Sequence, residues 1–323
     1  MNRKCVLLYS GGLDSILACK ILLEQSIKIF AINFTTPFLP KADLPPVEFP
    51  LKVINIGEEY LELVKNPRYG YGKNLNPCID CKIAMFERAK EYMDEIGASF
   101  IATGEVVGER PMSQRKDALN IIDRDSEMRG LVVRPLSAKL LKPTIPEVEG
   151  IIDREKLLDI SGRSRKPQLE LAKKYGLKDY PTPSGGCLLT DPIFSKRVKD
   201  TMDNDKFSIE KIYLLRYGRH FRLNDGCKVV VGRNEVENNM LLNLCARDDY
   251  IFRVVDYVGP VVILLFSTSI KDSTICTAAS LTASYSKGKN EKEIKVVFGK
   301  RGKEKKTIFA KKMERDKIKE YMI

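Results

Sequence analysis

Short apolar runs alternate with amphipathic segments along the first part of the chain. Strand-like runs rich in β-branched residues lie at residues 5–9, 28–34, 51–56, 99–103 and 131–134. Segments with a helical spacing of apolar residues lie between them, at residues 14–24, 58–65, 80–96 and 113–128. Strands that alternate with helices are typical of a parallel sheet with crossover connections, so we predict an α/β fold here.

The pattern changes near residue 206, where short strands separated by turns replace the alternation. Strand-like runs lie at residues 221–223, 228–231, 250–255, 261–266 and 293–298, and a helical pattern covers residues 273–285. We therefore predict a parallel-sheet α/β domain at residues 1–205 and a smaller basic α+β domain at residues 206–323. Segments 66–77 and 180–192, rich in Pro and Gly, are predicted as loops.

The positive charge of the chain is concentrated in its last third. There are 55 Lys plus Arg against 43 Asp plus Glu, a net charge of +12, of which +10 lies in residues 206–323. This asymmetry favours a polyanion-binding domain, with a lysine-rich solvated surface as the alternative.

The apolar runs and the cysteines indicate the compartment. No apolar run reaches the roughly 20 residues that span a bilayer, and no basic leader precedes the first strand, so we expect neither a membrane protein nor a secreted one. The eight cysteines are then expected to be thiols, metal ligands or catalytic groups in a reducing, cytoplasmic compartment.

The segment SGGLDS at residues 10–15 lies where the first predicted strand leads into the first helix. Gly11 and Gly12 allow close approach of the backbone, and the helix N-terminus directs unpaired N–H groups at the loop, as in anion sites. Ser10 and Ser15 add hydroxyl donors, and Asp14 places a carboxylate where a cation beside phosphates would lie. The glycines alone are weak support, because any strand-to-helix connection can use them.

These six residues resemble the SGGxDS motif of the PP-loop ATP pyrophosphatase superfamily. The Gly-Lys-Ser/Thr ending of the P-loop GTPases and kinases is absent. The resemblance implies an adenine nucleotide alpha hydrolase-like fold in which Ser10, Gly11, Gly12, Asp14 and Ser15 bind ATP, with Mg²⁺ near Asp14. It also implies that ATP activates a carbonyl oxygen and releases pyrophosphate.

Three cysteines lie in or beside predicted loops: Cys78 and Cys81 in NPCIDC, and Cys187 in SGGC. Zinc would lack a fourth protein ligand, because the only histidine, His220, lies in the basic domain. A cysteine persulfide that carries sulfur is chemically feasible. Three thiolates can also hold a 4Fe-4S cluster with one iron open to hydrosulfide, which gives all three cysteines a role.

The other five cysteines lie in apolar runs. We expect them to pack as small hydrophobic side chains: Cys5, Cys19, Cys227, Cys245 and Cys276.

Four segments, NPCIDC, GEVVGERPMSQ, GRSRK and PTPSGGCLLTDP, together resemble tRNA thiouridine synthetases. The resemblance covers residues 4–200 and is particularly to short relatives of 4-thiouridine synthetase, while NPCxxC is also similar to the tRNA 2-thiouridylases. It implies that Cys78, Cys81 and Cys187 ligate an iron–sulfur cluster beside the ATP site. The chain departs from the longer synthetases in lacking their THUMP and rhodanese regions, so we expect tRNA to be bound by another part.

The basic domain contains RHFRL, VVVGRNEVEN, DYVGP and AASLTASYSK, which resemble the RNA-binding domain of the NFACT proteins. Strands with Arg and aromatic residues suit contacts to the phosphates of folded RNA. We expect His220 to lie at the surface or to contact RNA.

Further candidates for ligand-contacting residues lie elsewhere in the first domain. Arg163, Arg165 and Lys166 are candidates for contacts to ATP phosphates or the tRNA backbone, with a solvated charge cluster as the alternative. A second set follows a predicted strand end, where open α/β sheets place ligands: Glu105, Arg110 and Gln114.

The predicted function is ATP-dependent tRNA uridine thiolation, with 4-thiouridine at position 8 as the product and the cluster as the sulfur carrier. A tRNA 2-thiouridylase and a cysteine-persulfide sulfurtransferase are alternatives of the same class. An ATP pyrophosphatase acting on a small amide or carbonyl compound and a nucleotide-regulated RNA-binding protein are alternatives of other classes. The expected partners are tRNA, sulfide or a sulfur-donor protein and, in a homodimer, a second copy of the chain.

Overall fold

The computed structural model describes residues 2–39, 44, 46–178, 180, 186–266 and 270–323. The chain divides into two compact units, Met1–Thr190 and Asp191–Ile323. This division lies earlier than the boundary at 205/206 predicted from the sequence. The physical reason is helix α7 (Pro192–Asn204), whose Asp200 accepts hydrogen bonds from Arg222 and Lys228 of the second unit.

The first unit is built on a parallel sheet. Its described residues form five strands in the order β3-β2-β1-β4-β5. In chain order these are β1 (Lys4–Leu8), β2 (Lys28–Thr35), β3 (Leu51–Asn55), β4 (Phe100–Thr103) and β5 (Val132–Val133). Strand β1 is central, with Leu8 opposite Ile32 on one side and Thr103 on the other. The predicted α/β fold is confirmed.

Helices cover both faces of this sheet because the side chains of its strands alternate between two cores. Leu7 and Ala102 pack with helix α1 (Leu13–Glu24), and Val6 and Ile101 pack with helix α3 (Cys78–Ile96). The α-helices described in this unit are α1 (Leu13–Glu24), α2 (Glu58–Lys65), α3 (Cys78–Ile96), α4 (Lys116–Asp125), α5 (Ile145–Val148) and α6 (Lys166–Lys174).

The second unit is built on an antiparallel sheet, which agrees with the predicted α+β class. Its described residues form six strands in the order β11-β10-β8-β9-β7-β6. The strands are β6 (Arg219–Arg222), β7 (Lys228–Val231), β8 (Tyr250–Val254), β9 (Val262–Leu264), β10 (Ile294–Lys300) and β11 (Lys306–Ala310). The helices that follow α7 are α8 (Ile209–Leu214), α9 (Glu235–Leu244), α10 (Asp272–Ser284) and α11 (Arg315–Tyr321).

Five of these elements lie outside the strands and helices predicted from the sequence: α7, α8, α9, β11 and α11. Strand β11 shows the reason, because its KTIFA sequence is embedded in a lysine-rich segment that hides the apolar alternation. Antiparallel pairing with β10, in which Phe309 is opposite Lys295, fixes it as a strand. Among the residues described in both units, no helix is long and apolar enough to cross a bilayer.

Candidate functional site

The SGGLDS loop lies at the carboxyl end of the central strand β1. The sheet order reverses between β1 and β4, so a crevice opens outside the ends of these two strands, where open α/β sheets bind ligands. Gly104 ends β4 against the loop, and a Cβ added to it would lie 2.5 Å from the carbonyl carbon of Asp14. Only glycine therefore lets the chain at the end of β4 approach the first turn of α1 this closely.

The loop has the geometry of an anion site. Gly11 has a φ of 74°, in the left-handed region that favours glycine. Helix α1 then begins at Leu13 without a side-chain cap on Gly12, which leaves N–H groups of its first turn available. The hydroxyl of Ser15 donates to Gly12 O at 2.8 Å, and the Ser10 hydroxyl accepts from Gly12 N at 3.3 Å. Both predicted hydroxyls thus shape the loop.

Asp14 stands in the first turn of α1 with a buried Oδ1 that has no hydrogen-bond partner among the described residues. Burial raises the pKa of Asp14, and the guanidinium groups of Arg165 and Arg110 oppose that rise. Gln168 is fully buried beside it without a well-formed hydrogen bond of its own. A buried carboxylate with an unused oxygen, flanked by arginines, suits a cation that bridges to phosphates.

A second carboxylate, Glu109, lies near Asp14 and was not singled out from the sequence. Burial, followed by the charge of Asp14, raises the pKa of Glu109. The backbone of this loop is held by Gln114, whose Oε1 accepts from Arg110 N at 3.0 Å. Gln168 was also missed, since nothing in its helical sequence marks it as facing the crevice.

The other charged residues predicted as site candidates in the first unit lie in different environments. Glu105 is buried and accepts from Arg134 Nε at 3.1 Å and pairs with Lys82 Nζ at 3.2 Å. Burial would raise the pKa of Glu105, but these two cations outweigh it and hold the pKa below its ordinary value. Glu105 is thus part of a buried ion-pair network, whereas Arg163 and Lys166 are exposed.

Cys78 is the first residue of α3, at the end of the predicted loop 66–77. The Asn76 amide donates to Cys78 Sγ at 3.1 Å. Asp80 anchors the loop to the helix, because its carboxylate accepts from the backbone N–H groups of Arg68 at 2.8 Å and Tyr69 at 3.1 Å. The position of Cys78 is therefore fixed from both sides.

Tyr60 of α2 connects the three cysteines. Its side chain is buried, and its hydroxyl is hydrogen-bonded to the thiol of Cys81. Burial raises the pKa of Tyr60 well above its ordinary value, and the neighbouring thiols of Cys81, Cys187 and Cys78 add to the rise. The phenol therefore stays protonated and acts as a donor to sulfur.

Two hydrogen bonds to backbone carbonyl groups hold the Cys187 segment near Tyr60. Asn74 Nδ2 donates to Thr190 O at 2.7 Å, and Leu188 N donates to Phe38 O at 2.9 Å. The ring of Phe38 in turn packs on Tyr60, with centroids 5.5 Å apart. Part of the predicted loop 180–192 falls outside the described residues, namely 181–185.

Arg110 lies between the thiols and the anion loop. A Cβ added to Gly186 would be 3.6 Å from Arg110 Nη1, and the charge of Arg110 also acts on Asp14. Thus the residue next to Cys187 and the carboxylate of the SGGLDS loop share one guanidinium neighbour. The structure brings the two groups of predicted site residues into one crevice region.

The chemistry of the three thiols fits an iron–sulfur cluster, but their spacing does not yet match one. Burial raises the pKa of Cys81 to about 11 and that of Cys187 to about 12. Three soft sulfur donors, all partly buried, fit the chemistry of an iron–sulfur cluster. In the described ranges, however, no three His, Cys, Asp or Glu side chains are gathered closely enough to hold a metal ion. The sulfur atoms would have to close in on a bound cluster.

Two expectations about single residues are wrong. Cys276 is exposed on α10, although Cys5, Cys19, Cys227 and Cys245 are buried as expected. His220 is not at the surface: it is buried at 1% exposure, and its Nε2 lies 2.8 Å from Tyr217 O. His220 faces inward because it pairs in register with Val230 in the β6–β7 hairpin.

The fold and the site together define an α/β unit with an anion-binding loop near three thiols, followed by a basic antiparallel-sheet unit. Residues 218–322 match the family model of the NFACT protein RNA binding domain. The chain is 32% identical over 127 residues to the tRNA-specific 2-thiouridylase MnmA of Clostridium acetobutylicum. The aligned segment covers 32% of this chain and 36% of that protein. The chain thus spans about a third of the length of this curated relative.

Solved structures with a low likeness include the U34-tRNA thiolase NcsA from Methanococcus maripaludis with its 4Fe-4S cluster. The TM-score is 0.29 and the identity 18%, over 67% of this chain and 73% of that chain. The C-terminal part of the fibronectin/fibrinogen-binding protein from Streptococcus suis has a TM-score of 0.30 and 14% identity, over 82% and 98% of the two chains. The resemblance to tRNA-thiolating proteins and to the NFACT RNA-binding domain is confirmed by the comparisons.

Proposed function

We propose that this protein is an ATP-dependent tRNA sulfurtransferase that thiolates uridine. The observation that carries the proposal is the shared position of Arg110, beside the Cys187 turn and near Asp14 of the anion loop. One unit thus offers an activating site and a sulfur-handling site together. The second unit adds the RNA-binding domain that a tRNA substrate requires.

In the activation step, the uridine carbonyl oxygen attacks the α-phosphorus of ATP, and pyrophosphate leaves. The N–H groups at the start of α1 and the Ser10 and Ser15 hydroxyls bind phosphate oxygens. Asp14, with Glu109 beside it, would hold Mg²⁺, which would neutralise phosphate charge there, and Arg110 and Arg165 would balance the charge that develops on the phosphates. The carbonyl oxygen then departs as part of AMP, a far better leaving group than oxide.

The sulfur step belongs to Cys78, Cys81 and Cys187, which would hold the cluster. A bound 4Fe-4S cluster with three protein ligands supplies an iron site at which sulfide is kept ready for transfer. Tyr60 and Asn76 keep the thiols oriented by hydrogen bonds to Cys81 and Cys78.

A persulfide route is the competing sulfur step. Here a sulfur-donor protein first transfers a sulfane sulfur to one cysteine as a persulfide. The terminal sulfur of this persulfide attacks the activated carbon and AMP leaves. The thiolate of a second cysteine then attacks the inner sulfur, which forms a disulfide between the two cysteines and releases the thiolated uridine. Each turnover then consumes two thiols, which an external thiol reductant must restore. This route therefore depends on reductant and not on iron.

Two carbonyls of uridine are candidates for thiolation. We favour 4-thiouridine, at position 8 of tRNA. The second candidate is 2-thiouridine, which the similarity to a tRNA-specific 2-thiouridylase supports. Because the substrate is tRNA, we expect the protein in the cytoplasm, with sulfide or a sulfur-donor protein as the source of sulfur.

The test is nucleoside mass spectrometry of unmodified tRNA after anaerobic incubation with the protein, Mg-ATP and sulfide. A 4-thiouridine peak is expected, and a 2-thiouridine peak would instead establish the second candidate. ATP without tRNA and tRNA without ATP are the controls, and both must give no thionucleoside. Tight RNA binding with neither product nor tRNA-dependent pyrophosphate release would overturn the enzyme and favour a nucleotide-regulated RNA-binding protein.

A further inference from the structure

Among the described residues of the second unit, no helix packs on one half of a face of its sheet. Helices α8 and α9 pack over β7, β9 and the adjacent part of β8, burying Val230 and Ile263. The remaining strands β8, β10 and β11 present five side chains on the same face, here called the open sheet face: Arg253, Lys295, Val297, Thr307 and Phe309.

The strand register fixes which residues share this face. Val297 of β10 lies opposite Arg253 of β8 and also opposite Thr307 of β11. Lys295 lies opposite Phe309. Directly opposed residues in antiparallel strands point to the same side of the sheet, so the five side chains form one continuous surface.

The other side of the same strands already supplies the hydrophobic core. Ile294 and Val296 of β10 are buried there with Phe252 against helix α10. Phe309 contributes nothing to that core, and 65% of its surface is exposed. An exposed aromatic ring in the middle of a strand thus needs an explanation other than folding.

The surroundings of Phe309 are positively charged. Within the described part of the chain, no hydrogen bond or ion pair involves the guanidinium of Arg253 or the ammonium of Lys295. Lys306 begins β11 and Lys311 follows it, and both are exposed. Glu293 also lies at this end of the sheet, 3.8 Å from Lys311. Lysines at both ends of an edge strand disfavour pairing with another strand and favour a polyanion.

A cavity of about 220 Å³ adjoins this surface. Arg253 belongs to both, and the cavity is also lined by Asn239, Asn238 and Tyr257. The ring of Tyr257 is held against Gly288, where an added Cβ would lie 2.5 Å from Cδ2. Amide groups beside an aromatic ring are the kind of environment that recognises the edge of a base.

We propose that the open sheet face binds a single-stranded segment of RNA, with a base stacked on Phe309 and phosphates held by Arg253 and Lys295. The faces of bases are accessible only where the strand is unstacked, so an exposed aromatic ring on a sheet face selects single strands over duplexes. This inference deepens the proposed function, because it assigns the surface that holds the tRNA substrate outside its helical stems.

The test measures binding of the full-length protein to a fluorescein-labelled oligouridine of about ten nucleotides and to a duplex of the same length, by fluorescence anisotropy. Phe309→Ala is expected to weaken oligouridine binding about tenfold, whereas Phe309→Tyr, which keeps the ring, binds like the wild type. Duplex affinity stays unchanged in both. Circular dichroism establishes that each variant is folded.

The charge contribution is tested with two matched double variants. Arg253→Gln with Lys295→Gln removes both cations, and the slope of log affinity against log salt should become less negative by about 1.4, since each single-strand phosphate contact contributes about 0.7. The control, Arg315→Gln with Lys317→Gln, removes the same charges from α11, whose Ile318 packs on the core at the opposite face. It should keep the slope of the wild type.

Unchanged oligouridine affinity in Phe309→Ala, or equal salt slopes in the two double variants, would overturn the assignment of the surface. So would a change in sedimentation of Phe309→Ala without a change in affinity, which would identify the face as a contact between copies. The wild type still forming thiouridine in tRNA would leave the proposed function standing in each case. If the wild type neither binds RNA nor forms thiouridine, the proposed function itself would be overturned.

Discussion

Asn74 donates a hydrogen bond from Nδ2 to the carbonyl oxygen of Thr190, at 2.7 Å and across 116 positions of sequence. The carbonyl of Cys187 in turn accepts from both the amide and the hydroxyl of Thr190, at 2.9 and 2.7 Å. Asn74 stands in the loop that leads to Cys78, so this one contact ties the two cysteine segments together. Both cysteine segments therefore depend on a residue that is itself neither thiol nor charged.

Replacing this donor should weaken the sulfur site without affecting nucleotide binding. Asn74→Asp keeps the shape of the side chain but puts an acceptor against the Thr190 carbonyl, which costs about 1 to 3 kcal/mol where partly buried. We expect at least a fivefold loss of thiolation and unchanged ATP affinity, measured by nucleoside mass spectrometry and calorimetry. Asn204→Asp, at the end of α7, is the control. Equal activities in the two variants would contradict the positioning role.

The three site cysteines and the other cysteines should respond differently to substitution by alanine. Cys78→Ala, Cys81→Ala and Cys187→Ala should each abolish thiolation while sparing ATP binding, because each thiol has a separate place around Tyr60. Cys276→Ala, on the exposed side of α10, should retain full activity. Full activity of Cys187→Ala would remove that residue from the site.

Iron and acid-labile sulfide contents distinguish the two sulfur routes. Anaerobically purified wild type should contain both, and each of the three site variants should lose them, since three thiolates are the only protein ligands proposed. An iron-free wild type that still thiolates tRNA, and needs a thiol reductant for turnover, would replace the cluster with the persulfide route.

Asp14 should be essential for activation of the uridine. Asp14→Asn removes the charge that holds Mg²⁺ at the anion loop, and we expect tRNA-dependent pyrophosphate release to fall by about 10²–10³-fold. Asp117→Asn is the matched control, because that carboxylate is exposed and forms an ion pair with the neighbouring Arg115. Raising Mg²⁺ should partly rescue Asp14→Asn. A variant with wild-type release would show that the carboxylate lies outside the reaction.

The buried His220 should make the second unit less stable in acid. Burial and the nearby cations Arg197 and Lys228 lower its pKa well below the ordinary 6.5. The unfolded chain therefore takes up the proton first, and stability falls by about 1.4 kcal/mol per pH unit as the pH drops below about 6.5. Above that pH the contribution is fully present.

Urea unfolding of the wild type and of His220→Gln between pH 7 and pH 5 measures this contribution as the difference between their slopes. Since the chain has one histidine, its single imidazole NMR signal reports the same pKa directly. A signal that titrates near pH 6.5 in the folded protein would contradict the buried position.

Local sequence patterns determined much of the fold. Alternating β-branched runs predicted the parallel sheet, and α2 was predicted at its observed bounds, Glu58–Lys65. The SGGLDS loop needs only a strand, two glycines and a helix start, all adjacent in sequence, so its geometry followed from the local pattern. Strand β11 and helix α11 could not be read in this way, because their lysine-rich sequences become regular only through pairing with β10 and packing on the core.

The anion loop, the three loop cysteines and the basic character of the last third could be read from the amino-acid sequence, because each depends on residues close together in the chain. Which distant residues meet depended on packing in three dimensions. This packing placed Glu109 and Gln168 beside Asp14, Tyr60 among the thiols, and His220 in the interior. Such neighbours are set by how strands and loops pack across the sheet, and spacing along the chain carries no record of that.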